Sequence, residues 1–219
     1  ILNKDTTKED RIRIVQEGLN QCGGACDFCN GCDNLGGGSV DAFYENGIGS
    51  QSFFNGEDCF GRETEICYLL DNDEQTAILE VAQTSGLHFT TDDVNPTEAS
   101  SYSLGELIKH ILDSHLNVKE MIIGLGGSAI NDGGIGMMQA LGVSFTRQDG
   151  KEIARGVNEI QEIVAISDVG LHPRLKEINV TLLSDVKNPL VGKNGATFIF
   201  GKQKGIKNLQ ETDDALRHY

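Results

Sequence analysis

Met121-Ile-Ile-Gly-Leu-Gly-Gly-Ser-Ala-Ile-Asn-Asp-Gly-Gly-Ile-Gly-Met-Met-Gln-Ala-Leu-Gly142 decides the reading of this chain. It opens with a run fit for a buried strand, passes through a glycine-rich loop carrying Ser128, Asn131 and Asp132, and closes on an apolar stretch fit for a short helix. The six glycines at 124, 126, 127, 133, 134 and 136 remove Cβ atoms that would hold a ligand off. They also let backbone N–H groups turn inward at a helix N-terminus as an anion cradle. A phosphate or a carboxylate suits such a loop.

Two later segments read in the same way. Ile178-Asn-Val-Thr-Leu-Leu183 is expected as a buried strand, with Ser184-Asp185 at its carboxyl end, where open α/β sheets meet their ligands. Thr197-Phe-Ile-Phe200 is expected as a strand leading into Gly201-Lys-Gln-Lys-Gly205. Taken alone, Asp185 and Asn188 could equally cap a turn, because Asp and Asn bond their own backbone in loops.

Gly126-Gly-Ser-Ala-Ile-Asn-Asp-Gly-Gly134, Leu183-Ser-Asp-Val-Lys-Asn-Pro-Leu190 and Phe200-Gly-Lys-Gln-Lys-Gly205, in this order and spacing, resemble the bacterial glycerate kinase family. The likeness runs from Thr76 to Gly205 and fades before residue 76. It implies an α/β fold of two-domain glycerate kinase-like architecture, with sheets flanked by helices, of which this chain carries only part. Residues 1–60 would be a partial first, Rossmann-like domain without its opening strand, and 61–219 most of a second, inserted domain. The family's Asp-Ser-Phe-Lys loop is absent, its Asp-Gly-Gly-Glu-Gly loop is replaced by Asp33-Asn-Leu-Gly-Gly-Gly-Ser-Val-Asp-Ala42, and Lys202 stands where the family carries proline. The chain opens at Ile1 directly into a helical pattern, and the family continues beyond Tyr219, so a truncated or inactive form is an expectation as well.

The implied activity is ATP-dependent phosphorylation of D-glycerate, with 2-phosphoglycerate the favoured product and Mg2+ assisting. Phosphoryl transfer asks of the protein a phosphate cradle, a cation and a carboxylate near the attacking hydroxyl. Gly126, Gly127 and Ser128 would form the cradle, with Gly133, Asn188 and Gln203 also contacting substrate or nucleotide. Asn131 and Asp132 would orient the glycerate hydroxyls or a magnesium shell. Asp185 is the first choice for general base or magnesium ligand, and Lys204 would pair with phosphate or with the glycerate carboxylate.

A net charge of −15 argues against nucleic acid and anionic membrane surfaces, both of which demand a basic face. No apolar run approaches the roughly 20 residues of a membrane span, so a cytoplasmic location is expected. Oligomeric state is not legible.

Other features carry weaker signals. Thr6-Thr-Lys-Glu9 is a capping box for a helix over 7–19, and Ser103-Leu-Gly-Glu106 a second one, ahead of the apolar face of Leu104, Leu107, Ile108, Ile111 and Leu112. Cys22, Cys26, Cys29 and Cys32 have a spacing that could hold an iron–sulfur cluster or zinc, or they are thiols of a reduced protein. Cys59 and Cys67 are expected in the core. Residues 66–70 and 76–81 should be strands joined by the acidic turn Asp71-Asn-Asp-Glu. His110 and His115, five apart, are expected on different faces at the surface. Gln148-Asp-Gly150 signals a hairpin turn.

The main rival function is a nicotinamide-dependent oxidoreductase, because Gly124-x-Gly126-x-x-Ala129 follows a strand and Asp149 lies roughly 20 residues on. Against it, Asn131-Asp-Gly-Gly134 puts poor helix formers where the helix of that motif should run.

Overall fold

The computed structural model describes residues 38–91, 93–184 and 186–219. The expected helix over 7–19, the four-cysteine cluster and Asp185 lie outside the described residues.

The described chain begins with α1 (Ser39–Glu45) and the strands β1 (Ser50–Glu57), β2 (Glu63–Leu70) and β3 (Thr76–Glu80), followed at once by α2 (Val81–Ser85). Then come α3 (Tyr102–Ser114), β4 (Glu120–Gly124), α4 (Ile135–Ala140), β5 (Ser144–Thr146), β6 (Ala165–Ser167), β7 (Asn179–Leu183), α5 (Ala196–Phe200) and α6 (Leu209–His218). The main sheet runs β1-β2-β3-β4-β7, and β5 pairs with β6 in a second, two-stranded sheet. β1 and β2 form an antiparallel hairpin paired from Ser50↔Leu70 to Glu57↔Glu63, so the expected break near residue 60 falls in its turn. β3, β4 and β7 are mutually parallel. Their last residues, Glu80, Gly124 and Leu183, lie side by side in register. This carboxyl edge is where α2, the glycine-rich loop and the segment after β7 leave the sheet.

Apolar burial fixes the layers. On one face Leu104, Leu107, Ile108, Ile111 and Leu112 of α3 pack on Ile66, Tyr68, Leu79, Met121 and Ile123. On the other, Val40 and Phe43 of α1 meet Leu69, Ile78 and Ile122. A separate cluster of Ile135, Val143, Phe145, Ile160 and Leu216 joins α4, β5 and α6. Asp71 Oδ1 closes the β2–β3 turn by accepting from the Gln75 and Thr76 N–H groups at 2.8 and 3.0 Å. That acidic tip is structural, as the sequence implies.

Several expectations change. β7 forms, but at the edge of the sheet among the described residues, and Val180 and Leu182 are 49% and 58% exposed. Thr197–Phe200, expected as a strand, lies in α5; five residues of apolar sequence cannot distinguish the two states by periodicity. Helix α3 starts two residues earlier than its capping box implies. Its N-cap is Ser101, and the Ser103 hydroxyl turns away to Ser85 Oγ at 3.2 Å. His110 and His115 converge instead of diverging: the Tyr68 hydroxyl lies 2.7 Å from His115 Nε2 and 3.4 Å from His110 Nε2. His115 is the C-cap, where φ −118° and ψ 82° leave helical geometry, so helical spacing no longer predicts its direction. β5 finds its strand partner in β6, while the 148–150 turn is closed by a single bridge between Thr146 and Glu152.

Gly105 shows how tightly α3 and α4 approach. A Cβ there would stand 2.4 Å from the Met137 carbonyl oxygen and 2.7 Å from Ala140 Cβ. Alanine would gain about 1 kcal/mol of helix propensity, but the obstacle is backbone. Gly105→Ala should therefore destabilise the protein by about 1–3 kcal/mol net in urea denaturation, and an unchanged midpoint would mean that the two helices separate freely.

Candidate active site

The glycine-rich loop is tied down at both ends. The Leu125 N–H donates to the Leu183 carbonyl at 3.0 Å, so the loops after β4 and β7 start side by side. The Ala129 N–H donates to the Ser85 carbonyl at 2.7 Å and the Leu87 N–H to the Gly127 carbonyl at 2.9 Å, binding the loop to the end of α2. Gly127 has φ +67° and Gly134, the N-cap of α4, φ +81°. Only glycine takes such angles without strain.

Asp132 is the centre of this arrangement and is 1% exposed. Its Oδ2 accepts from the Ser101 N–H (2.7 Å), Ser101 Oγ (2.9 Å), Ser100 Oγ (3.2 Å) and the Gly136 N–H (3.3 Å). Oδ1 accepts from the Gly134 N–H at 3.1 Å. One carboxylate thus supplies acceptors to the first turns of both α3 and α4, groups that a helix leaves orphaned. Asp132, expected beside the reactants or a magnesium ion, stands in the structure as an enclosed clamp between α3 and α4. Asn131 is likewise turned inward, its Nδ2 donating to the fully buried Thr197 Oγ1 at 2.9 Å, which pins α5 against the loop. Gly133 lies against α6, where an added Cβ would stand 3.2 Å from Leu216 Cδ2.

Lys204 comes to the same loop from far along the chain. The turn after α5 places its Nζ 2.6 Å from the Ile130 carbonyl and 3.3 Å from Ser128 Oγ. Burial pushes its ammonium down from the ordinary 10.5 to about 8, with the Asp132 charge opposing that fall. Among the described residues it forms no ion pair within 4.0 Å. A desolvated cation beside a glycine-rich loop, with no carboxylate partner among the described residues, is suited to an incoming anion. Gly126, Gly127, Ser128 and Lys204 therefore share one rim of the sheet.

The other expected contacts lie further out. Asn188 is exposed and donates from Nδ2 to the Asn194 carbonyl at 2.9 Å, closing its own loop. Gln203 is exposed in the turn beside Lys204. That loop is held to α6 by Asp213, which accepts from the Gly192 N–H at 2.8 Å and pairs with Arg217 at 2.9 Å.

Sequence reading missed three groups at this edge. Glu80 ends β3 and is 2% exposed, and the Gly38 N–H ahead of α1 donates to its two carboxylate oxygens at 3.3 and 3.1 Å. A carboxylate closing a strand is the signal that singled out Asp185, and it was present here too. Thr197 was hidden inside an apolar run, and Arg155 had no local signal.

The profile of the Glycerate kinase family matches residues 9–219. The chain belongs to the glycerate kinase family. It is 36% identical over 185 residues to a glycerate kinase of Halalkalibacterium halodurans, covering 83% of this chain and 48% of that one. To the glycerate 2-kinase of Escherichia coli K12 it is 41% identical over 162 residues, covering 73% of this chain and 42% of the relative. A crystal structure described as a glycerate kinase 2 from Salmonella typhimurium LT2 superposes with a TM-score of 0.79 at 33% identity, over 94% of this chain and 57% of that one. The chain spans about half the length of the curated relatives it matches.

The glycerate kinase family match agrees with the local geometry in rejecting the dinucleotide-binding rival. No helix begins within Gly124–Ala129; α4 starts only at Ile135. Asp149 is an exposed turn residue that accepts from the Lys151 N–H at 3.1 Å, not the acidic end of a second strand. Among the described residues no helix is long and apolar enough to cross a membrane.

Proposed function

We propose that the protein phosphorylates D-glycerate with ATP, at the 2-hydroxyl, in the cytoplasm. The single observation that carries this reading is the Lys204 ammonium, held on the glycine-rich loop with no carboxylate to neutralise it among the described residues. The relative from Escherichia coli, named a glycerate 2-kinase, supports the choice of hydroxyl.

When bound, ATP supplies the phosphoryl group. Gly126, Gly127 and Ser128 admit its phosphates close to the backbone, and Lys204 offsets the negative charge that gathers there, the usual protein contribution to phosphoryl transfer. Asp132 keeps the loop in shape and does not touch the reactants. The proton of the attacking hydroxyl passes to a carboxylate, for which Asp185, next in sequence to the segment leaving β7, remains the choice. Magnesium would be held by one or two carboxylates together with the ATP phosphates and would offset their charge; the Asp132 oxygens are already occupied by five donors, so Asp185 is the choice for that carboxylate.

A coupled assay for ADP formed from ATP and D-glycerate, with 31P NMR of the product, tests the reading. 2-Phosphoglycerate is the expected product. Accumulation of 3-phosphoglycerate would overturn the regiochemistry, and no glycerate-dependent ADP from the longest naturally encoded form would overturn the kinase.

A further inference from the structure

The carboxyl edge of the sheet carries a second feature that the loop and Lys204 do not use. A cavity of about 230 Å³ opens between the β1–β2 turn and the start of α3, lined by Asp58, Cys59, Phe60, Ser100, Tyr102 and Arg155, among others. The turn is closed by Asp58. Asp58 Oδ1 accepts from the Phe60 and Arg62 N–H groups at 2.8 and 3.1 Å, and its Oδ2 pairs with Arg62 Nε at 2.6 Å. The charge of Asp58 is thus answered within the wall.

Arg155 is the cation that the cavity lining contributes. Its guanidinium carbon lies 3.4 Å from the centroid of the Tyr102 ring, and Nη1 donates to Glu57 Oε2 at 2.8 Å. Stacking below and an ion pair at one corner fix the plane of the fork, leaving its remaining N–H groups to meet a planar anion. Glu98, the other acid of the lining, accepts from Asn95 Nδ2 at 3.1 Å.

The cavity is joined to the glycine-rich loop through Asp132. Ser100, which lines it, donates to Asp132 Oδ2, and Ala129 packs with Cys59 and Ala99 beneath it. Ser100 and Ala129 thus tie the wall of the cavity to the glycine-rich loop.

We propose that this cavity receives the carboxylate of a small hydroxyacid, with Arg155 as its clamp and Tyr102 as the platform that orients Arg155. The cavity matches a three-carbon acid better than a nucleotide, and an Arg fork binds a carboxylate with two parallel hydrogen bonds. This deepens the kinase reading and rests on it: phosphate charge falls to Lys204, the acid's charge to Arg155.

Steady-state kinetics of Arg155→Gln and Arg155→Lys in the longest naturally encoded form test it, varying D-glycerate and ATP separately. Arg155→Gln should raise the KM for D-glycerate about 10-fold or more while leaving that for ATP within about twofold, and lysine should recover part of the loss. Glycerol, which lacks the carboxylate, should be used equally poorly by wild type and variant. An unchanged glycerate KM, an equal rise in both constants, or a rise confined to ATP would overturn the assignment; the last would make Arg155 a phosphate ligand. Thermal melts of the variants identify misfolding, and Tyr102→Ala, which removes the ring beneath Arg155, should raise the glycerate KM in the same direction as Arg155→Gln. Absence of any glycerate kinase activity in the wild type would instead refute the function proposed above, a different failure.

Discussion

Asp132→Ala should lower the melting temperature by about 10 °C. The buried carboxylate accepts five hydrogen bonds from the starts of α3 and α4, and alanine would leave the Ser101, Gly134 and Gly136 N–H groups without that acceptor. Unsatisfied buried donors cost about 1–3 kcal/mol each, with less than full additivity, so a loss of about 4 kcal/mol is expected. In a chain of this length 1 kcal/mol corresponds to about 2–4 °C. Asp132→Asn keeps one acceptor oxygen and should fall between. Circular dichroism melts check this, and they also separate two roles. A general base replaced by asparagine would lose kcat with its melting temperature intact; a clamp loses stability first. A shift below about 3 °C for the alanine variant, with activity abolished, would return Asp132 to the catalytic group.

Lys204→Met is expected to show the opposite pattern. Removing a preorganised cation from developing phosphate charge costs about 10²–10³ in kcat/KM, while stability should change by less than about 1 kcal/mol. Two effects oppose each other there: methionine relieves the cost of burying an ammonium that has no ion pair among the described residues, but it leaves the Ile130 carbonyl without its 2.6 Å donor. Kinetics and a melt on the same preparation decide. An unaffected kcat/KM would remove Lys204 from the site, and with it the main support for the kinase reading.

The same residue gives a pH dependence with a definite sign. In the folded protein Lys204 releases its proton near pH 8, against 10.5 for an ordinary lysine. Between these values the unfolded chain binds more protons than the folded one, so this group's contribution to stability rises as pH rises from about 8 to 10.5, and it is constant below 8. Anion affinity runs the other way. It should weaken above pH 8 as the free protein loses the charge, and the KM for ATP measured from pH 7 to 9 should reveal this; Lys204→Met should flatten the profile.

The agreement between residue pattern and structure follows the range of the interactions concerned. Strand β4, the loop after it and the face of α3 were all legible, because alternation, glycine density and helical spacing are local properties. The Asp71 turn and the Asp149 turn were legible for the same reason, since each carboxylate bonds backbone only a few residues away. Misreadings arose where a distant partner intervened. Ser103 lost its capping role because Asp132 reached the start of α3 first, His115 turned toward Tyr68 once it left the helix, and Thr197–Phe200 became helix where Asn131 and α6 hold it.

The sequence by itself determined that a strand, a glycine-rich turn and a lysine in an acidic chain were available for an anion, and its motifs were sufficient to place the chain with the glycerate kinases. Only tertiary structure decided which of the polar groups are enclosed and which reach the edge of the sheet. Asp132 and Asn131 turned inward because the orphaned amides of two helices and a buried hydroxyl needed acceptors and donors, whereas Lys204 and Arg155 reached the edge through turns whose direction no local pattern encodes. Side-chain types are written in the chain, but the competition of each polar group among buried partners is settled only when the elements pack.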